Sequence, residues 1–187
     1  MDLEQAVIDE IRDWSKHALE GANPFFNNLP ACPYARNAWS MEKVGFVFNY
    51  GSDKDSLYDL ASRFPDQYDV VLLIDFVFPE DTEDFHDYLD TFNDAVANGV
   101  FLDRDIWVMG FHPDDDAQEE AFDQESFDHL VDDLYTITFV QRLTKLEKAA
   151  EILRKKGYYD AYMKDPQYAN LWTKRQNLHR SLKNARN

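Results

Sequence analysis

The sequence is poor in cysteine, and this limits both its chemistry and its compartment. Cys32 is the only cysteine among 187 residues, so the chain cannot form an internal disulfide. A single thiol is typical of proteins from a reducing compartment. We therefore predict a cytoplasmic protein.

Long apolar runs and low-complexity linkers are also missing. The longest strongly apolar stretch, near Val70–Phe78, is interrupted by Asp75 and is too short to cross a bilayer. The first residues, Met1–Glu4, lack the apolar core of a signal peptide. The 6 glycines and 7 prolines are scattered, and aromatic residues make up 15% of the chain. We expect one packed domain over residues 1–187, with no membrane partner.

Basic residues are scarce over most of the chain. Residues 1–140 carry 7 Lys/Arg against 32 Asp/Glu, whereas residues 141–187 carry 12 against 4. Between Glu80 and Asp133 a single base, Arg104, accompanies 19 acids. An acidic body repels a phosphate backbone, which argues against nucleic-acid binding. The distribution is compatible with a basic protein partner, with a tail that binds its own body, or with a simple solvated acidic surface.

Hydrophobic periodicity predicts helices that alternate with strands. Apolar residues at helical spacing indicate a helix over residues 2–20, which Gly21 ends. Strands are predicted at Val44–Tyr50, Asp69–Phe78 and Asp105–Phe111, with a shorter candidate at Thr136–Val140. The second strand is apolar on both faces, so we expect it to be central.

The helices that follow these strands have recognisable ends. A helix with acids in its first turn should run from about Glu80 to Gly99, its C′ residue. One helical turn is expected at Phe127–Leu134. A basic, helical C-terminal segment at about 143–187 should contain a helix begun by a Thr144/Glu147 capping box and a last helix begun by Asp165-Pro166. The predicted fold is α/β, a small mixed sheet of three to four strands with helices packed on it, either ferredoxin-like or a short open sheet.

The standard phosphate-binding, dinucleotide, zinc-protease and nucleophile-elbow motifs are absent from the sequence. The first candidate site is therefore Cys32, which follows a proline-rich loop. It could act as a nucleophile or a metal ligand if a cation such as Arg36 lowers its pKa. The alternative is a small buried side chain, a common environment for a free cysteine.

A second candidate, Phe111-His112-Pro113-Asp114, leaves the end of a predicted strand. Ligands in open α/β sheets bind beyond the carboxyl ends of strands. His112 could act there as a general base or help Asp114 to hold a divalent cation. The alternative is a histidine in a turn, with its neighbouring acids in solvent.

Arg142, just after the fourth candidate strand, is an isolated cation in an acidic region. It could bind a carboxylate or a phosphate group bidentately. The alternative is a structural ion pair with one of the nearby acids.

Several short motifs occur in an order that resembles the bacterial domain-of-unknown-function family 1415. They are Trp14 in the first helix, Cys32-Pro33-Tyr34-Ala35 where the family has Cys-Pro-Phe-Ala, Phe111-His112-Pro113-Asp114, and Arg142 near a family stretch Leu-His-Leu-Leu-Arg. The resemblance covers most of the chain and implies an α/β fold and a site location rather than a reaction. The chain departs from the family's Asn-Arg-Ser-Pro-Tyr-Pro stretch, since it has Val131-Asp132-Asp133-Leu134-Tyr135 there.

Two functional hypotheses follow. In the first, the protein is a small enzyme with Cys32, His112 and Asp114 as catalytic groups that converge with Arg142 and Arg36 around a small anionic substrate. In the second, it is a non-catalytic binding or regulatory protein whose acidic surface docks a basic partner or mimics nucleic acid. Neither hypothesis specifies a cofactor or a metal.

Overall fold

The computed structural model describes residues 2–51, 55–78, 81–103, 105–115, 135–164 and 166–185. Its helices are α1 Leu3–Trp14, α2 Ala35–Ser40, α3 Asp55–Ser62, α4 Thr82–Ala97, α5 Leu143–Arg154 and α6 Pro166–Ala185. Its strands are β1 Ala22–Asn23, β2 Leu29–Pro30, β3 Val44–Asn49, β4 Val70–Asp75, β5 Ile106–Phe111 and β6 Thr136–Arg142. A π-helical segment, Ser15–Leu19, continues α1, and short 3₁₀ turns occupy Pro24–Phe26 and Tyr162–Lys164.

The main sheet has four strands in the order β3-β4-β6-β5. β3 and β4 are parallel, and β6 is antiparallel to both of its neighbours. The predicted α/β class with a small mixed sheet is confirmed, as is the central place of β4. The sheet is a short open one, because the described residues give the strand order β3-β4-β6-β5, with a helix between β3 and β4 and another between β4 and β5. The ferredoxin-like fold instead has the element order β-α-β-β-α-β.

The strand register defines two ends of this sheet. Asn49, Asp75 and Thr136 lie side by side at one end, and Phe111 lies beside Ile137 there. We call this the carboxyl end, because β3, β4 and β5 all finish at it. β6 runs in the opposite direction, so its own last residue, Arg142, lies beside Ile106 at the amino end.

Helices cover both faces of the sheet. On one face α1 buries Val7, Ile11 and Trp14 against β4 and β6 side chains that include Leu72 and Ile137. On the other face α3, α4 and the second half of α6 pack over a larger core, with the buried residues Leu57, Leu60, Phe85, Leu89, Phe92, Val96, Leu178 and Leu182. This arrangement follows from the alternation along β4, whose side chains Val71 to Ile74 are all buried.

The contact between α4 and β5 is unusually close at Gly110. A Cβ atom at this position would lie 2.5 Å from both Phe85 Cζ and Leu89 Cδ1. Real carbon atoms do not approach to that distance, so the absence of a side chain lets the helix sit directly on the strand.

A buried side chain of α4 also closes the outer edge of β5. Asn93 Nδ2 donates to the Val108 carbonyl at 2.9 Å, and the Val108 N–H donates to Asn93 Oδ1 at 3.0 Å. The amide thus satisfies the two backbone groups that a further strand would otherwise pair with.

The chain's early loop is clasped to the segment after α5. Phe26, which is fully buried, stacks on Tyr158 with ring centroids 4.9 Å apart. Asn27 Nδ2 donates to the Lys156 carbonyl at 2.9 Å, and the Tyr158 hydroxyl donates to the Ala31 carbonyl. Between them Gly157 adopts φ +75°, a left-handed conformation that favours glycine.

One detailed expectation is contradicted, and two others are not tested. The Thr144/Glu147 capping box is wrong, because Glu147 is buried and bonds Arg175 and Gln176 of α6 instead. Thr144 meanwhile donates from both N and Oγ1 to Asp105. The predicted turn at Phe127–Leu134 and the N-cap at Asp165 lie outside the described residues.

Candidate functional site

His112 lies immediately beyond β5 at the carboxyl end of the sheet and is buried. The Asp114 N–H donates to its Nδ1 at 3.1 Å, and Thr82 Oγ1 lies at 3.1 Å from the same atom. Because Nδ1 accepts a backbone N–H, it carries no proton. The lone pair of this nitrogen is therefore already engaged by the backbone, which anchors the turn.

Asp115 ties this turn to α4. Its Oδ2 accepts the His112 N–H at 2.8 Å, and its Oδ1 lies 2.7 Å from His86 Nε2. The hydrogen bond with Asp115 raises the pKa of His86 above its ordinary value, and burial opposes this shift only in part. Protonation of His86 therefore strengthens the contact between α4 and the turn.

Asp114 does not orient His112 in the way that a catalytic carboxylate would. Its Oδ2 lies 3.9 Å from His112 Nδ1, and its side chain is 84% exposed. Since Nδ1 already accepts the Asp114 N–H, the contribution of this residue comes from its backbone.

Cys32 lies in the loop after β2. Its N–H donates to the Leu19 carbonyl at 2.9 Å. Burial raises the pKa of the thiol, and the charge of Glu20 raises it further. These surroundings disfavour the thiolate that a nucleophile or a metal ligand requires.

Arg36, the cation expected to lower the pKa of Cys32, binds Glu20. Arg36 Nη2 donates to the Glu20 carbonyl at 3.2 Å, and its Nε lies 3.5 Å from Glu20 Oε2. The buried Glu20 carboxylate is also bound by Arg12 and by Ser15 Oγ. Arg36 is thus one member of a structural ion-pair cluster around Glu20.

Arg142 also forms structural ion pairs. Its guanidinium bonds Asp103 and, at 2.9 Å, Asp66, and it lies 4.7 Å above the ring of Phe64. It lines an open cavity of about 460 Å³ whose other residues include Asp105 and Lys145. The predicted anion clamp therefore already holds two carboxylates of its own chain.

The structure does not bring His112 and Arg142 together, as the enzyme hypothesis expected. His112 follows Phe111 at the carboxyl end, whereas Arg142 lies beside Ile106 at the amino end. The five residue steps of β5 between them correspond to about 17 Å. Cys32 and Arg36 lie near the buried Glu20, whose carboxylate is bound by Arg12 and Arg36.

A different feature, which our sequence predictions did not single out, is the outward face of α4. Glu83, Asp87, Asp90 and Asp94 are spaced i, i+4, i+7 and i+11. They point away from the buried side of the helix, and they extend over about 16 Å. Helix α4 contains no Lys or Arg. We call these four residues the acidic face. The sequence could have revealed it, because the helical periodicity that identifies the buried side of α4 also places these acids on the opposite side.

The acidic face already binds a cation from the chain itself. The Lys174 ammonium of α6 bonds the Asp90 carboxylate. This hydrogen bond raises the pKa of Lys174 despite an opposing effect of burial, and the charges of Asp90, Asp94 and Asp87 raise it further. The face therefore creates a local potential that attracts ammonium groups.

Within the described ranges, no three His, Cys, Asp or Glu side chains come together as a metal site. In the same part of the chain, no helix combines the length and apolarity needed to cross a membrane. Comparison with protein families, with curated proteins and with solved structures found no match. The resemblance to family 1415 thus stays a prediction from its short motifs.

Proposed function

We propose that the protein is a non-catalytic binding protein that docks a basic segment of a partner protein on the acidic face of α4. The observation that carries this proposal is the row of Glu83, Asp87, Asp90 and Asp94, with Lys174 held at Asp90. The bound lysine provides, within one chain, an example of the kind of contact that a partner would make.

The acidic face lowers the stability of the fold, and this favours a role for it in binding. Like charges at i, i+4 destabilise a helix by about 0.2–0.5 kcal/mol per pair, and Glu83–Asp87 and Asp90–Asp94 are two such pairs. Asp94 also lies in the last turn, where the helix dipole disfavours an anion and where no basic residue is present. Cations of a partner would relieve this repulsion.

The arrangement of the other candidates supports the same proposal. His112 anchors a turn, Cys32 is held in its thiol form, and Arg142 is bound by two carboxylates. His112 and Arg142 thus have partners within the chain, and they lie at opposite ends of the sheet. The acidic face, in contrast, offers carboxylates to solvent along three turns of one rigid helix.

The test compares two triple variants with the same net charge. In the first, Glu83→Gln, Asp87→Asn and Asp94→Asn neutralise exposed residues of the acidic face. In the control, Asp2→Asn, Asp9→Asn and Glu42→Gln neutralise exposed residues at the start of α1, on α1 and before β3. The probe is a ten-residue lysine peptide, and its dissociation constant is measured by calorimetry at low salt and at 150 mM salt.

We expect the acidic-face variant to weaken peptide binding by roughly 3-fold to 100-fold, since each exposed ion pair contributes about 0.2–1 kcal/mol. The control should change it by less than about 2-fold. Equal losses in both variants would mean that net charge alone attracts the peptide, and the proposal would be rejected.

A further variant tests whether Lys174 occupies part of the same surface. Lys174→Ala removes the ammonium from Asp90 and leaves all four carboxylates in place. We expect the lysine peptide to bind several-fold more tightly to this variant, because it no longer competes with an internal cation. Unchanged binding would show that the peptide does not use Asp90.

A further inference from the structure

The acidic face ends at an exposed apolar pair. After α4 the chain turns at Gly99, which adopts φ +79°, and the Val100 N–H donates to the Ala95 carbonyl at 3.1 Å. The Asn98 N–H returns to the Asp94 carbonyl at 2.9 Å. The Val100 backbone is therefore held against the last turn of α4, which carries Asp94, the last residue of the face.

Phe101 fixes the direction of the side chains around it. Its ring is buried and lies 5.2 Å from Phe92 and 5.7 Å from Tyr58, measured between centroids. With Phe101 directed inward, the two flanking side chains point to solvent. Val100 is 67% exposed and Leu102 is 107% exposed, which makes them the two most exposed large apolar side chains among the described residues.

A partner could bury the exposed Leu102 side chain without any rearrangement of the loop backbone. Phe101 already holds the backbone, so a partner that buries Leu102 loses little conformational freedom. Such pre-organised apolar groups beside charged ones are typical of the central contacts of interfaces, where apolar burial gives affinity and charges give orientation.

We infer that the surface formed by the acidic face, Val100 and Leu102 recognises a basic amphipathic segment of a partner protein. Its Lys or Arg residues would lie along the carboxylates, and an apolar residue about one turn beyond them would cover Leu102. This inference rests on the proposed function. Charge complementarity selects this occupant, because a second copy of the chain would bring another net charge of −17 and an anionic lipid surface would be repelled in the same way.

The experiment pairs two peptides with three forms of the full-length protein. One 18-residue helical peptide has lysines spaced i, i+4, i+7 and i+11, followed by a leucine one turn further, and the second has serine in place of that leucine. The proteins are the parent, Leu102→Ser, and the control Leu3→Ser, which changes a leucine that is 57% exposed on α1, across the sheet. Dissociation constants are measured by calorimetry, and circular dichroism checks that each variant is folded.

The leucine peptide should bind the parent at least about tenfold more tightly than the serine peptide, as burial of one leucine side chain predicts. Leu102→Ser should abolish this preference, and Leu3→Ser should retain it. If both peptides depend on the acidic face but the leucine preference is absent or survives Leu102→Ser, the inference is wrong and the proposed function stands. If neither peptide responds to the triple variant of the acidic face, the proposed function fails, and the inference fails with it.

Discussion

The amide of Asn93 offers the sharpest test of how the sheet is completed. The change Asn93→Leu keeps the approximate volume of the side chain but removes both hydrogen bonds to Val108, which is itself 1% exposed. The Val108 N–H and carbonyl would then be buried without partners, because the leucine keeps water out. An unpaired buried polar group costs about 1–3 kcal/mol.

Two such groups would cost about 2–6 kcal/mol, and the burial of the apolar leucine side chain offsets part of this. We therefore expect a net loss of about 2–4 kcal/mol in the free energy of unfolding, a large share of the total for a domain of this size. Urea titration followed by circular dichroism measures it, with the slope of the transition as a check on two-state behaviour.

The matched control is Asn98→Leu, which makes the same substitution at an exposed position just after α4. It should change stability by less than about 0.5 kcal/mol. Hydrogen exchange gives a second measurement, since the Val108 N–H should lose protection in Asn93→Leu alone. A loss below about 1 kcal/mol with Val108 still protected would refute the idea that Asn93 closes the strand edge.

Three further predictions concern single positions. Gly110→Ala should destabilise the fold by about 1–3 kcal/mol in thermal unfolding, because its Cβ would collide with α4. Gly21→Ala is the control and should leave stability unchanged, because its Cβ would meet no atom closer than 3.7 Å. Equal effects of the two substitutions would contradict the packing described. Cys32, with its raised pKa, should resist alkylation at pH 8 until denaturant unfolds the chain; rapid labelling of the folded protein would contradict this. Because the pKa of His86 is raised in the folded state, its contact with Asp115 should stabilise the protein below pH ~6.5 and lose that effect as pH rises through the raised pKa. His86→Gln should therefore lower the unfolding temperature at pH 6 and leave it unchanged at pH 8.5.

Much of the architecture could be predicted because it depends on local patterns. The apolar run of β4 indicated a strand buried on both faces, and β4 is indeed covered by helices on both sides. The helix predicted between Glu80 and Gly99 is found as Thr82–Ala97, with Gly99 in the left-handed conformation that a C′ glycine adopts. These features need only the spacing of apolar residues and the preferences of helix ends.

The candidate site could not be predicted in the same way, because it depends on strand direction. The rule that ligands bind beyond the carboxyl ends of strands places Arg142 and His112 together only if β5 and β6 are parallel. β6 instead runs antiparallel between β4 and β5, so its last residue lies at the other end of the sheet. Strand direction is a non-local property, and no short motif in this sequence reports it.

The clasp between the loop at Phe26 and the segment at Tyr158 has a consequence for how the chain reaches its native state. These residues are more than 125 positions apart, so their contact closes a very long loop and carries a high entropic cost. During synthesis the stack of Phe26 on Tyr158 cannot form until Tyr158 has left the ribosome. The clasp should therefore form after the folding transition state, and a substitution such as Tyr158→Ala should accelerate unfolding while leaving the folding rate nearly unchanged.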